Sequence, residues 1–477
     1  MRPPAALAAV AVAALLAAAC SSGGGDGDRA AGPSSSAATT GSSSAGSDPA
    51  STGTTVDEDG CPAVPPPAVP DQQRPSYAVE ATVDPEAGTI GGTLRARFTP
   101  DLPTDRLVFR LWPNGPRPAG AGVVLDVGPV TSPDLGALAS ERPDPTTLVV
   151  RLPGELAAGQ PVEVGLPWNL TVPGPTTDRV SKDGDSLRLG SFLPLLAWEP
   201  GVGWATDPPT AGYAEASTAP SADFELQVEV PAGYSVLGTG RAGDGGTWTA
   251  EAVRDVGLSV GRFTTATATA AAPDPVTVTV GVADGLADDP EAYAAAAVEA
   301  LEDFGARYAP YPWPDLSIAV TAGLPGGIEY PATIFHGPET VDHVAHEVGH
   351  QWFYGLVGND QGRDPWLDEG LATWAQTRVD VPPIDGLPQP VPEDATGHAG
   401  DPMTFWEGHL DSYYRGVYVQ SALALHELGD DDLVDCALRH YVADRAYGIA
   451  RPSDLFDALR LVFPDAEATL APYGLAP

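Results

Sequence analysis

The apolar and polar positions of this chain change period once, near residue 289. Between residues 77 and 282 apolar residues alternate with polar ones. Val79, Ala81 and Val83 form one such run, Leu94, Ala96 and Phe98 another, and residues 224–230 a third. A period of two turns one face of each segment inward, so these runs predict half-buried strands, and clusters of Pro, Gly and Asp separate them. Strands at this spacing with no helix between them predict a β-sandwich or a curved, saddle-like sheet. Beyond residue 289 the steps become three and four: Tyr293, Ala297, Leu301, Phe304 and Tyr308 follow Asp288-Asp289-Pro290 as the stripe of an amphipathic helix. Tyr311-Pro312-Trp313-Pro314 ends it. A strand at 316–320, a loop at 323–331 and a short strand at 333–335 come next. Further helices are predicted near 414–428, 433–443 and 453–462, after a Pro- and Gly-rich surface insertion at 382–401. The second half therefore reads as α+β.

Candidate chemistry concentrates between the loop and these helices. His346-Glu347-Val348-Gly349-His350 puts two imidazoles four residues apart, on one face of a helix, where both can reach one metal ion. Asp364-Pro365 predicts an N-cap and a first helical residue, so Glu369 falls early in a new helix and can supply a third ligand. Two His and one Glu leave a coordination position open, which is how a catalytic zinc site differs from a structural one. The expected cofactor is one Zn2+ per chain. Glu347, beside the ligands, is the candidate general base for a metal-activated water. A bare His-Glu-x-x-His can arise by chance on an amphipathic helix; the third carboxylate and the helix start behind it argue against that here.

Composition narrows the setting. With 64 acidic against 24 basic residues the net charge is −40, so no basic patch exists to hold phosphates and nucleic acid is excluded as a partner. The acidic surface favours solubility; attraction of cationic peptides is a second reading. Residues 1–20 carry one Arg, an Ala/Val/Leu run and small residues before Cys20, the pattern of a bacterial lipoprotein signal with Cys20 as the lipidated residue. An ordinary secretory signal or an uncleaved anchor fits the same segment. Residues 21–72, rich in Ser, Gly, Ala, Thr and Pro, predict a disordered tether. The expected location is the outer face of the bacterial membrane, through a lipid anchor at Cys20, or secretion. Cys61 and Cys436 are the other cysteines, and the sequence leaves their pairing open.

Four motifs together carry a family resemblance. His346-Glu347-Val348-Gly349-His350-Gln351-Trp352-Phe353 and Trp366-Leu367-Asp368-Glu369-Gly370-Leu371-Ala372 resemble the gluzincin peptidases related to aminopeptidase N. Gly326-Gly327-Ile328-Glu329-Tyr330 is similar to that family's exopeptidase loop, and Tyr413-Tyr414-Arg415-Gly416 to its tyrosine motif. The resemblance implies an N-terminal all-β domain at 73–275 and a thermolysin-like α+β catalytic domain at 276–477. It implies that Glu329, with Gly326 and Gly327, binds the free α-amine of a peptide substrate. It also implies that Tyr413 steadies the transition state; Tyr414 competes for that role and Tyr418 lies one helical turn further on. Long members carry a C-terminal helical domain that closes over the site, and this sequence ends at Pro477 without one, so a more open cleft is expected. The β domain shows no recognisable Asp-Glu-Pro motif, and residues 193–204 are the expected replacement. The favoured reading is a zinc aminopeptidase. The alternatives are a broader or endo-acting metallopeptidase and a non-catalytic peptide-binding lipoprotein. No protein partner is inferable. His336 and His343 receive no role.

Overall fold

The computed structural model describes residues 60–211, 219–379 and 381–477. Cys20 and residues 21–59 of the expected tether lie outside them. Alternation becomes sheet as the sequence predicts. Ser76–Asp84 pairs antiparallel with Thr89–Phe98 and parallel with Ala222–Glu229, its inward residues Tyr77, Val79, Ala81 and Val83 all buried. Tyr77 stands opposite Phe224 and their rings stack 4.5 Å apart, a cross-strand pair that helps fix the register. A smaller antiparallel sheet of Val180–Asp183, Ser186–Gly190, Gly257–Gly261 and Ser235–Gly238 follows. Its Gly190 and Gly257 pack on Tyr330. A Cβ at Gly190 would come within 2.2 Å of the Tyr330 hydroxyl, so only glycine allows this sheet to close on the segment that carries Glu329.

The sheet that bears the site has five strands, ordered Phe263–Ala271, Pro275–Ala283, Asp315–Val320, Thr333–His336 and Gly327–Tyr330. Its first two strands form a hairpin, so the boundary expected at residue 275 falls at the first residue of the second strand and the sheet begins at Phe263. Helix Pro290–Arg307 makes the crossover between the parallel strands Pro275–Ala283 and Asp315–Val320. It forms where the pattern predicts because Asp289 caps the backbone N–H of Glu291, Pro290 opens the first turn, and Arg307 stands at the negative end of the helix dipole. One apolar core runs from Tyr77 through the β region and the catalytic region to Leu475.

Two expectations differ from the structure. The expected loop 323–331 contains the strand Gly327–Tyr330, paired antiparallel with Thr333–His336. Glycines opened the segment and hid a strand whose Tyr330 is buried and whose turn is held from outside. The insertion at 382–401 is not a loose surface excursion. Leu387, Ala395 and Ala399 are buried, and Gln420 holds its backbone at Ala395 and Gly397. Cys61 and Cys436 form a disulfide, Cα–Cα 5.8 Å, which ties the start of the described chain to helix Asp431–Arg445. Among the described residues no helix is long and apolar enough to cross a membrane.

Candidate metal centre

The histidine helix, Val344–Gly349, is short and packs its Val344 and Val348 into the core. His350 continues it in helical conformation, with its backbone N–H on the His346 carbonyl, so both imidazoles leave the same face. The second helix, Trp366–Arg378, starts one residue later than expected: Pro365 holds the cap position and no side chain caps the helix. Glu369 still lies in its first turn and points back at the histidines.

Three donor atoms converge. His346 Nε2 and His350 Nε2 are 3.1 Å apart, and Glu369 Oε2 lies 3.2 Å from the first and 3.3 Å from the second. Donors bonded tetrahedrally to zinc at ~2.0–2.1 Å stand roughly 3.3–3.4 Å apart, so this triangle fits one shared ion. The His350 Nδ1 faces the Phe353 carbonyl at 3.1 Å, which fixes the tautomer and leaves Nε2 free to ligate. Charge agrees with geometry. Burial opposes protonation of His350, yet the Glu369, Glu329 and Glu347 carboxylates outweigh it and raise its pKa well above the ordinary range. The pocket attracts a cation.

Glu347 and Glu329 join the same cluster, each with a carboxylate oxygen within 4.8 Å of a His350 nitrogen. Glu347 is 5 % exposed, and burial, with Glu329 and Glu369 nearby, pushes its carboxyl up to about 8 against the pull of His350. A Cβ at Gly327 would sit 2.2 Å from the Glu347 Cδ, so that glycine makes room for the candidate base. Gly326 meets no such crowding; its nearest neighbour would be His343 Nδ1 at 3.6 Å. Gln351, directly after the second histidine, donates to the Tyr330 carbonyl at 3.0 Å and accepts the Ala332 N–H at 2.8 Å. It thereby clamps the turn through Ala332 (φ +57°) that joins the Glu329 strand to the next strand. The motif that supplies the metal ligands thus also positions Glu329.

The tyrosine segment reaches the site through a π-helical turn, Tyr414–Val419. Such turns break helical spacing and re-aim side chains. Tyr418 stacks on the His346 ring at 5.6 Å, and buried Tyr413 packs edge-on against Tyr418 and Trp406, each at 5.6 Å. Gly416 leaves the space that the Trp406 ring fills. Tyr414 is 49 % exposed, and burial of part of its ring with the charge of Glu369 raises its pKa. Tyr418 is thus in ring contact with a candidate ligand, and Tyr413 packs against Tyr418.

Several residues at the site carried no assignment from sequence. Asp368, fully buried, is held by Asn359 Nδ2 at 3.1 Å and Gln361 Nε2 at 2.7 Å. Arg179, from the β region, lies 3.3 Å from Glu329 Oε1. Residues 193–204 were the expected β-side contribution, but their described polar contacts lead elsewhere. Trp198 donates to Asp101, Trp204 to Thr104, and Glu199 pairs with Arg451. His336 is buried, its Nδ1 facing the Gly337 carbonyl and the Thr340 hydroxyl.

A family model for the peptidase family M1 domain matches residues 331–381, the stretch holding all three candidate ligands and Glu347. This segment resembles peptidase family M1. Human aminopeptidase B is 27% identical over 190 residues, covering 33% of this chain and 29% of that protein. Leucine aminopeptidase 2 of Aspergillus oryzae is 35% identical over 81 residues, 15% of this chain and 13% of its own. The matched stretches thus span less than a third of the length of these curated relatives. The crystal structure of an M1 zinc metallopeptidase from Deinococcus radiodurans superposes with a TM-score of 0.61 at 20% identity, over 85% of this chain and 94% of that one. The fold, an N-terminal β region followed by a mixed catalytic region, is that of this two-part M1 architecture. The M1 family implies zinc, and the donor triangle fits it.

Proposed function

We propose that the protein is a zinc-dependent aminopeptidase that removes single residues from the N-termini of peptides. The observation that carries the reading is the convergence of His346, His350 and Glu369 in one triangle with Glu347 and Glu329 beside it. His346, His350 and Glu369 would hold the ion. When bound, zinc supplies Lewis-acid activation of a water and of the scissile carbonyl. Glu347, lodged across Gly327, takes the proton of the attacking water on its carboxylate and passes it to the leaving amide nitrogen. Glu329 holds the substrate's α-ammonium and so sets the first peptide bond against the ligands. Tyr413 is the assigned hydrogen-bond donor to the developing oxyanion, on its motif; Tyr418 is its competitor, on its contact with His346. A Deinococcus radiodurans M1 structure described as bound to a Tyr-Ser-Ala substrate supports peptides as the substrate class.

Action outside the cytoplasm, with Cys20 as a lipid anchor, belongs to the same proposal. The Cys61–Cys436 disulfide supports it, because such bonds persist in oxidising compartments. Metal analysis and peptide hydrolysis before and after chelation test the core of the reading. About one zinc per chain and chelator-sensitive turnover restored by zinc are expected. Zinc bound at full occupancy with no hydrolysis of a varied peptide panel would move the assignment to a peptide-binding lipoprotein.

A further inference from the structure

Glu329 is only 4 % exposed and lies among other carboxylates, so its charge needs a partner. That partner comes from the other half of the molecule. Its Oε1 accepts hydrogen bonds from Arg179 Nη2 at 3.3 Å and from Gln361 Nε2 at 3.0 Å. Among the described residues none donates to its Oε2. Arg179 is itself held: its Nη1 reaches the Tyr330 hydroxyl at 3.4 Å and its guanidinium lies 5.6 Å from the Tyr330 ring centre. The Tyr330 hydroxyl meets Ser191 Oγ at 3.1 Å, and Ser191 donates to Asp255 at 2.6 Å. On the other side Gln361 also donates to Asp368, the residue before the ligand Glu369. A buried polar chain thus runs from Asp255 in the β region through Arg179, Glu329 and Gln361 to the metal-bearing helix.

We propose that Arg179, with Gln361, is a positioning residue for the substrate's terminal amine. The two groups fix Oε1 of Glu329 and leave Oε2 to take the ammonium, so the distance from amine to metal ligands is set by the contact between the two halves. That distance determines the register of cleavage at one residue. The inference rests on the aminopeptidase reading of Glu329 and adds to it the residues that make the anchor rigid. Without Arg179 a buried carboxylate beside Glu347 loses its compensating charge and its fixed orientation, and its hold on an ammonium weakens.

The test compares two probes on the zinc-loaded full chain by calorimetry: leucine hydroxamate and its desamino counterpart, which keeps the metal-binding group and lacks the amine. The wild-type protein should bind the amine-bearing probe at least about tenfold more tightly, the value of one charge-assisted contact. Arg179→Gln should bring the two affinities within about threefold of each other, leave the desamino affinity and the zinc content unchanged, and add nothing in a Glu329→Gln background. Arg179→Lys should retain part of the preference. Equal weakening of both probes in Arg179→Gln, or full additivity with Glu329→Gln, would overturn the proposal, because that is what a purely structural role gives. If Arg179→Gln does not fold, Gln361→Ala carries the test: a preference reduced at least about threefold supports it and an unchanged one overturns it. A wild-type preference that Glu329→Gln does not alter would sink the amine-anchor reading itself, and the role of Arg179 with it.

Discussion

The metal triangle and the amine anchor sit within one cluster but are built on different principles. The triangle comes from a helical spacing of four and one further helix, with all three ligands inside residues 346–369. The anchor needs Glu329 on a sheet strand, Gln361 on a loop, and Arg179 from a distant part of the β region. Local periodicity specifies the first. Only the closure of two halves of the fold specifies the second. The chemistry and its register are therefore separable: substitutions at the triangle should remove turnover, and substitutions along the Arg179 chain should change which substrates are recognised.

The largest expected effect is that of Glu347→Gln. Turnover should fall by about 10²–10⁴, the range for loss of a general base, with zinc content unchanged by metal analysis. Loss of zinc in that variant would make Glu347 part of the metal-holding set and blur the distinction. Gly327→Ala comes next. Its Cβ would meet the Glu347 carboxyl group, so kcat should drop by about tenfold or more while zinc stays bound, as steady-state kinetics and metal analysis would read.

Asp255→Asn probes the far end of the anchoring chain through stability. Burial pushes the Asp255 carboxyl up to about 7 from an ordinary 3.8, against the pull of Ser191, the Val256 N–H and Arg179. A folded-state pKa above the unfolded one favours the protonated folded form. Its contribution is therefore fully present below about pH 4 and is lost as pH rises towards 7. Denaturant unfolding at pH 4.5 and 7.5 should show the wild type losing stability relative to Asp255→Asn over that interval, on the order of 2–4 kcal/mol. A parallel pH dependence in both proteins would contradict it. The smallest effect on turnover belongs to the Cys61→Ser/Cys436→Ser pair. The disulfide lies outside both sub-sites, so kcat should hold while stability falls by about 2–4 kcal/mol, read by denaturant unfolding.

Legibility followed the same division. Strand alternation around Tyr77–Val83, the helix stripe from Tyr293 to Tyr308 and the ligand set were readable because each is written in consecutive residues. Glu329 and Gly327 were readable by resemblance, and the Cβ geometry explains the second: the glycine is there for Glu347. The strand Gly327–Tyr330 was hidden because its pairing depends on Gln351, which clamps it from another element. The tyrosines were blurred by the π-helical turn, which shifts the register on which helical spacing arguments rely. Arg179 left no local signal. Nothing near it in sequence announces a partner 150 residues away.

The central claim is that Glu329 selects a free N-terminus for chemistry at the His346, His350 and Glu369 centre. One peptide supplied with a free and with an acetylated N-terminus, digested by the zinc-loaded protein and analysed by product mass, tests it directly. The account predicts sequential loss of single residues from the free peptide and none from the acetylated one, abolished by chelation. Internal cuts in both peptides at similar rates would contradict it and make the protein an endopeptidase with an open cleft.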